Sequence, residues 1–131
     1  MPITALYASL AIPLYLYLAY RVISYRRSGQ IEIGDGSDRE MLRRMRVHAN
    51  FNEYMPVTLV VMALAESLLA PALVLHGCGI ALVLGRYLHA YALSQEPHIL
   101  GLRVTGMVLT LNALGVLAIV CLVLSLGRLM A

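Results

Sequence analysis

Four long apolar runs alternate with polar breaks along this chain, and the second run differs from the rest because its start is crowded with charged and amide side chains. From Ile3 to Ile23 only Arg21 is charged, about 21 residues, which meets the roughly 20 needed to cross a bilayer. Pro13 is expected to kink this first helix. Tyr15, Tyr17 and Tyr20 approach its second end and Tyr25 lies just beyond, a placement that suits an interfacial aromatic belt. A cleaved signal peptide is the rival reading, disfavoured because no positive charge precedes the run and no A-x-A site follows it.

The long polar connection, Ser24 to Asp38, holds Gly29, Gly34 and Gly36 and carries no phosphate-loop pattern. Ser37 followed by Glu40 fits a capping box, so a second helix is expected to start near Asp38 and run to Ala70. At about 33 residues it would span on the order of 50 Å, against a hydrocarbon core of about 30 Å. Roughly its first dozen residues, with Arg39, Arg43, Arg44 and Arg46, therefore project from the membrane or enter it through a polar crevice. Pro56 has no N–H for the carbonyl of Asn52, which predicts a bend just beyond Glu53. Glu66, on a different face from Glu53, is expected at the interface or against a neighbouring helix.

An Ala-Pro-Ala turn at Ala70 to Ala72 leads to a third apolar run, and Pro97 and His98 mark the connection to a fourth. Asn112, near the middle of that last run, is placed for a helix–helix hydrogen bond. The pattern predicts one all-α domain over residues 1–131, an integral membrane four-helix bundle. Its spans fall near 3–23, 51–70 with a helical extension from 38, 73–93 and 100–126.

Composition agrees with lipid as the main solvent. The chain is 60% hydrophobic and 13% charged with a mean hydropathy of +0.78, where a soluble domain carries about 25% charged residues. A net charge of +3 is too small and too localised to argue for nucleic acid. All ten basic residues are arginines, which hold their charge when partly desolvated and present a planar fork to carboxylates; a GC-rich genome explains that usage equally well. Seven of the ten lie between Arg21 and Arg46, so by the positive-inside rule the first and third connections face the cytoplasm and both termini face away from it. Cys78 and Cys121 sit in apolar runs and read as small hydrophobes, neither a metal pair nor a disulfide framework.

The candidate chemistry lies between Arg43 and Pro56, R-R-M-R-V-H-A-N-F-N-E-Y-M-P. At 100° per residue Arg43, Arg46, Asn50, Glu53 and Tyr54 share an arc of roughly 100°. In the third run Arg86 and His89 lie one turn apart on one face, and Arg103 opens the fourth. Antiparallel topology brings these groups to one depth: Arg86 falls about 10 Å and His89 about 6 Å below the end of its helix. An arginine within a span faces a bundle interior, a partner charge or a watery cavity. A structural ion pair between Arg86 and Glu53 is the plain alternative. It leaves Arg46 and Arg103 unbalanced, and an anionic ligand would complete the balance.

These residues carry a resemblance. R-x-x-R-x-H-x-N-x-x-E-Y-x-P, followed by G-R-x-x-H and an arginine opening the last span, is similar to the MAPEG family, membrane-associated proteins in eicosanoid and glutathione metabolism. It covers nearly the whole chain, including the Arg26-Arg27 pair that ends helix one, and the helix-two motif is its distinctive part. The resemblance implies a bacterial-type member whose four-helix subunits assemble as a homotrimer. Glutathione then binds as co-substrate between neighbouring subunits on the cytoplasmic side, and lipophilic small molecules approach from the bilayer. It also implies roles. Arg46, Asn50, Glu53 and Tyr54 match the glutathione-binding motif, Arg86 and His89 the polar positions of helix three, and Arg26 an arginine close to the bound peptide. Arg103 matches the arginine near the glutathione sulfur and is the candidate catalytic residue. Glutathione offers two carboxylates to arginine forks and one ammonium to Glu53, and its thiol needs a nearby cation to ionise at neutral pH. The chain departs from the family pattern at Leu93, Val104 and Met107, where a tyrosine, a small hydroxyl residue and an aromatic are expected, and at Ala49, a basic position in the prostaglandin-synthesising member.

The readings rank as follows. First comes a membrane glutathione-dependent transferase or peroxidase for lipophilic electrophiles, in the inner membrane if the chain is bacterial. Second comes a membrane binding protein using the same crevice without turnover; the family includes a non-enzymatic member, the five-lipoxygenase-activating protein. Third comes a small four-helix transporter of the drug-efflux type, which wants an acidic residue deep in helix one; that helix has none.

Overall fold

The apolar runs form four helices joined by short turns and one longer loop. A computed structural model describes residues 1–130, with α1 at Pro2–Ser28, α2 at Arg39–Ser67, α3 at Ala72–Ser94 and α4 at Leu100–Leu129. No strand occurs among the described residues. α1, α3 and α4 are each long and apolar enough to cross a membrane. α2 is as long as they are but carries the polar segment, and it continues through Pro56 as α1 does through Pro13.

Leu14, Leu18, Phe51, Met55, Met62, Leu75, Leu82 and Leu117 form the shared core. α3 and α4 approach closely because two glycines face each other. A Cβ on Gly85 would lie 2.7 Å from the Gly106 carbonyl oxygen and 2.8 Å from Thr110 Oγ1, and one on Gly106 would lie 2.6 Å from the Gly85 carbonyl oxygen. Backbone cannot swing aside as a side chain can, so this crossing requires residues without a side chain. On the other face of α3, the ring of Tyr7 fills the space that a side chain on Gly79 would need.

Polar contacts fasten the two ends. Glu66 accepts from Ile3 N (3.0 Å), Thr4 N (2.8 Å) and Thr4 Oγ1 (2.7 Å), so its partner is the first turn of α1, whose own Met1 supplies no side-chain cap. Two otherwise orphaned backbone amides of α1 and one of its hydroxyls are thereby held by α2. At the opposite end Glu40 lies 2.6 Å from Arg44, 2.9 Å from Arg43 and 3.9 Å from Arg21, and Arg21 donates to Ser94 Oγ at 2.6 Å.

The start of α2 differs in detail from the capping box expected at Ser37. Asp38 is the cap, accepting from Glu40 N (2.7 Å) and Met41 N (3.0 Å), while Glu40 turns toward the arginines. Ser37 adopts φ 59° in the preceding turn, with its amide on Asp35 Oδ1. The Met41 N–H, the Tyr25 hydroxyl and the Glu40 N–H all favour the ionised carboxylate and hold the Asp38 carboxyl below its usual range. A depressed folded-state pKa gives stabilisation that is present above the unfolded value of about 3.9 and fades as pH falls through the folded one. Asp38→Ala should therefore lower the hydrogen-exchange protection of the Glu40 and Met41 amides at neutral pH. Acidification below about pH 4 should lower it in the unmodified chain. Protection unchanged by both would remove Asp38 as the cap.

Candidate functional site

The polar segment of α2 divides between two faces of the subunit. On one side a crevice of about 530 Å³ opens between α2, α3 and α4. Arg46, Asn50, His89 and Arg103 supply its polar lining, and Leu93, Leu100, Val104 and Met107 supply apolar wall. That volume suits a ligand of small-peptide size, within the roughly 300–1,000 Å³ of typical binding pockets. Among the described residues neither Arg46 nor Arg103 has a side-chain hydrogen bond or ion pair, so two permanent cations face one cavity without a counter-charge. His89 is buried at the base of the same crevice.

Arg86 serves a different purpose. It is 2% exposed, donating from Nε to Thr110 Oγ1 (2.8 Å), from Nη1 to Asn50 Oδ1 (2.7 Å) and from Nη2 toward the Gly106 carbonyl (3.4 Å). Its guanidinium stands 5.4 Å from the Tyr54 ring centroid, a cation–π distance. Arg86 therefore joins α3 to α2 and α4 from beneath and orients the Asn50 amide into the crevice. The alternative pairing of Arg86 with Glu53 is not formed: Glu53 is exposed, and Arg86 has no carboxylate partner among the described residues.

Glu53 lies instead on the α1–α2 face with Arg26. The two line a second cavity of about 480 Å³, together with Met45, His48, Ala49 and Asn52. Arg26 is held loosely, at 3.5 Å from the carbonyls of Ile31 and Glu32 and 3.4 Å from Met45 Sδ. Arg43 leaves the shared arc altogether: it donates to the Gln95 carbonyl at 3.2 Å and pairs with Glu40 and Glu96. Of the eight candidate residues, the crevice thus collects Arg46, Asn50, His89 and Arg103, with Arg86 and Tyr54 behind it and Arg26 and Glu53 on another face.

Sequence reasoning missed Thr110, Gly106 and the Gln95–Glu96 corner. The spacing G-x-x-x-T from Gly106 to Thr110, a small-residue pattern for close helix crossing, was the available signal for the first two. Nothing local in the α3–α4 connection marked it as an anchor for Arg43. Asn112, expected to bridge helices, bonds back to the Val108 carbonyl of its own helix at 2.9 Å and is exposed.

The family model described as "MAPEG family" matches residues 4–123. Proteins named "Inner membrane protein YecN" from two Escherichia coli strains, K12 and O6:H1, are each 35% identical over 89 residues, covering 68% of this chain and 68% of their own.

Proposed function

The chain belongs to the MAPEG family, and from that premise we propose a membrane-bound, glutathione-dependent transferase or peroxidase acting on lipophilic electrophiles. The observation that carries this reading is the crevice, where Arg46 and Arg103 converge with Asn50 and no counter-charge. A peptide with two carboxylates and a thiol supplies what those cations lack: carboxylate for Arg46, and thiolate for Arg103. In conjugation the thiol proton passes to solvent and the ionised sulfur forms a bond to the electrophilic carbon, while that carbon's bond to its leaving group breaks and the leaving group departs with the electron pair. The apolar wall at Leu93, Leu100 and Val104 offers the second substrate a surface continuous with lipid. The protein acts as a multi-pass membrane protein whose termini face away from the cytoplasm, and as a homotrimer. An exposed Asn112 amide in mid-α4, together with exposed Asn52 and Glu53 on α2, supports self-association, because a lone subunit would present these groups to lipid.

The test separates binding from chemistry. Titrating thiols, glutathione among them, into the detergent-purified protein should raise its thermal midpoint for the cognate thiol. With glutathione bound, thiolate absorbance followed against pH should show a pKa below the free-thiol value of about 8.5. Arg103→Ala should bind nearly as well but return that pKa toward 8.5, slowing conjugation at neutral pH and recovering part of the rate at alkaline pH. Identical titrations in the two proteins would remove Arg103 from thiol activation.

One observation favours a second reading, a non-catalytic binding protein. Leu93, Val104 and Met107 line the crevice, at positions where the family resemblance implies a tyrosine, a small hydroxyl residue and an aromatic. If glutathione binds but its pKa in the wild-type complex is unshifted, binding without turnover becomes the better account.

A further inference from the structure

A cavity of about 320 Å³ adjoins the crevice between the start of α2 and the α3–α4 connection, lined by Arg39, Arg43, Arg46 and His98 against Leu42 and Leu93, and it shares Arg46 and Leu93 with the crevice. Four cationic or potentially cationic side chains against apolar wall form an amphipathic lining. Arg39 is oddly placed on electrostatic grounds. It occupies the first position of α2, where the helix dipole presents about half a positive charge, and cations there are disfavoured. The acidic residues that could offset it are engaged. Asp38 holds the backbone and Tyr25, and Glu40 holds Arg43, Arg44 and Arg21. Among the described residues Arg39 has no ion pair or side-chain hydrogen bond, and it is exposed. One anion does reach this cavity: a single oxygen of the Glu96 carboxylate meets Arg43 Nη2, which it shares with Glu40, on a side chain that is 74% exposed and so held by little else.

We infer that this cavity binds a phosphate-type oxyanion, the headgroup of an anionic phospholipid or free phosphate, with Arg39 and Arg46 as its forks and Glu96 as an internal competitor for Arg43. The apolar wall favours the lipid source, because Leu42 and Leu93 give the glycerol and first methylenes somewhere to lie and Leu93 continues into the crevice. Arg46 and Leu93 line both this cavity and the crevice, whereas Arg39, Glu96 and His98 line only this one, so substitutions at Arg39 and Glu96 test it apart from the thiol reading.

The experiment uses the full chain in phosphatidylcholine-containing micelles and follows the thermal midpoint as phosphatidylglycerol replaces phosphatidylcholine, with inorganic phosphate in a parallel arm. Arg39→Gln should weaken the apparent affinity about fivefold, the effect of one arginine near an anionic surface. Arg27→Gln, the same charge change at the same end but outside this cavity, should leave it nearly unchanged. Glu96→Gln should strengthen binding by removing a negative charge from the cavity and one of the two carboxylates on Arg43, whereas Glu32→Gln should not. A response seen with phosphatidylglycerol alone assigns the site to lipid, and one reproduced by phosphate with the same variant pattern assigns it to a free oxyanion; either supports the site. Equal effects of Arg39→Gln and Arg27→Gln, or of Glu96→Gln and Glu32→Gln, would reduce it to diffuse surface charge and overturn it.

Discussion

Replacing Asn50 with leucine is expected to destabilise the fold by about 1.5–3 kcal/mol, at least as much as removing Arg86 itself, because a buried charge would then lose a hydrogen-bond acceptor. Arg86 is 2% exposed, and its Nη1 is met by Asn50 Oδ1 alone. Asn50→Leu leaves the guanidinium charged, desolvated and one acceptor short. Arg86→Met removes the charge together with its desolvation cost. What remains is an Asn50 carbonyl without its donor, at about 1–3 kcal/mol, and a small packing loss. Thr110 keeps its bond to the Gly106 carbonyl at 2.9 Å and is not orphaned. The double variant Asn50→Leu/Arg86→Met should therefore be more stable than Asn50→Leu alone, a positive coupling between contacting residues. Denaturation in mixed micelles followed by circular dichroism measures all three. If Arg86→Met proved the worst of them and the double variant showed no recovery, the guanidinium would be a net stabiliser in its own right.

The same pair shows how much was legible in the sequence. Hydrophobic run length and turn residues located four helices, because a membrane helix has one dominant requirement and the chain meets it openly. Helical periodicity also placed Arg46, Asn50 and Glu53 along one stripe. What periodicity reports is an angle about a single helix axis. It does not say which neighbour occupies that angle, and the stripe turns out to straddle a ridge: Arg46 and Asn50 fall on the α3–α4 side, Glu53 on the α1 side. Nor does it choose a rotamer. Arg86 reaches Asn50 and Thr110 because Gly85 and Gly106 bring two backbones into contact, a tertiary fact with only a G-x-x-x-T spacing to announce it. Arg43 was lost from the stripe for a similar reason, since besides Glu40 its partners Gln95 and Glu96 lie in a loop that no local pattern ties to α2.

That division of the stripe leads to the second large effect, which should appear only when two damaged proteins are mixed. Arg26 and Arg46 line different cavities of one subunit, yet the family resemblance implies that both lie beside one bound peptide. A single subunit cannot bring its α1–α2 face round to its own α2–α3–α4 crevice without unpacking α2, whose Phe51 and Met55 are buried in the core. In the proposed cyclic trimer the α1–α2 face of one subunit would meet the crevice of the next, and the site would close across the boundary. Arg26→Ala and Arg46→Ala should each lose a charge-assisted hydrogen bond worth about 1.5–3 kcal/mol, weakening glutathione binding by about 10- to 150-fold. Co-expressed in equal amounts and assembled at random, they should recover roughly a quarter of the high-affinity sites. An intact site needs a crevice from the Arg26→Ala chain beside a face from the Arg46→Ala chain, each with even odds. A site contained in one subunit predicts no recovery whatever the mixture. The measurement is equilibrium glutathione binding to tagged, co-purified mixtures, set against the same two variants expressed apart and mixed after purification. High-affinity binding confined to the co-expressed sample would establish a shared site. Binding equal to the average of the two single variants would place Arg26 outside it and leave the crevice to act alone.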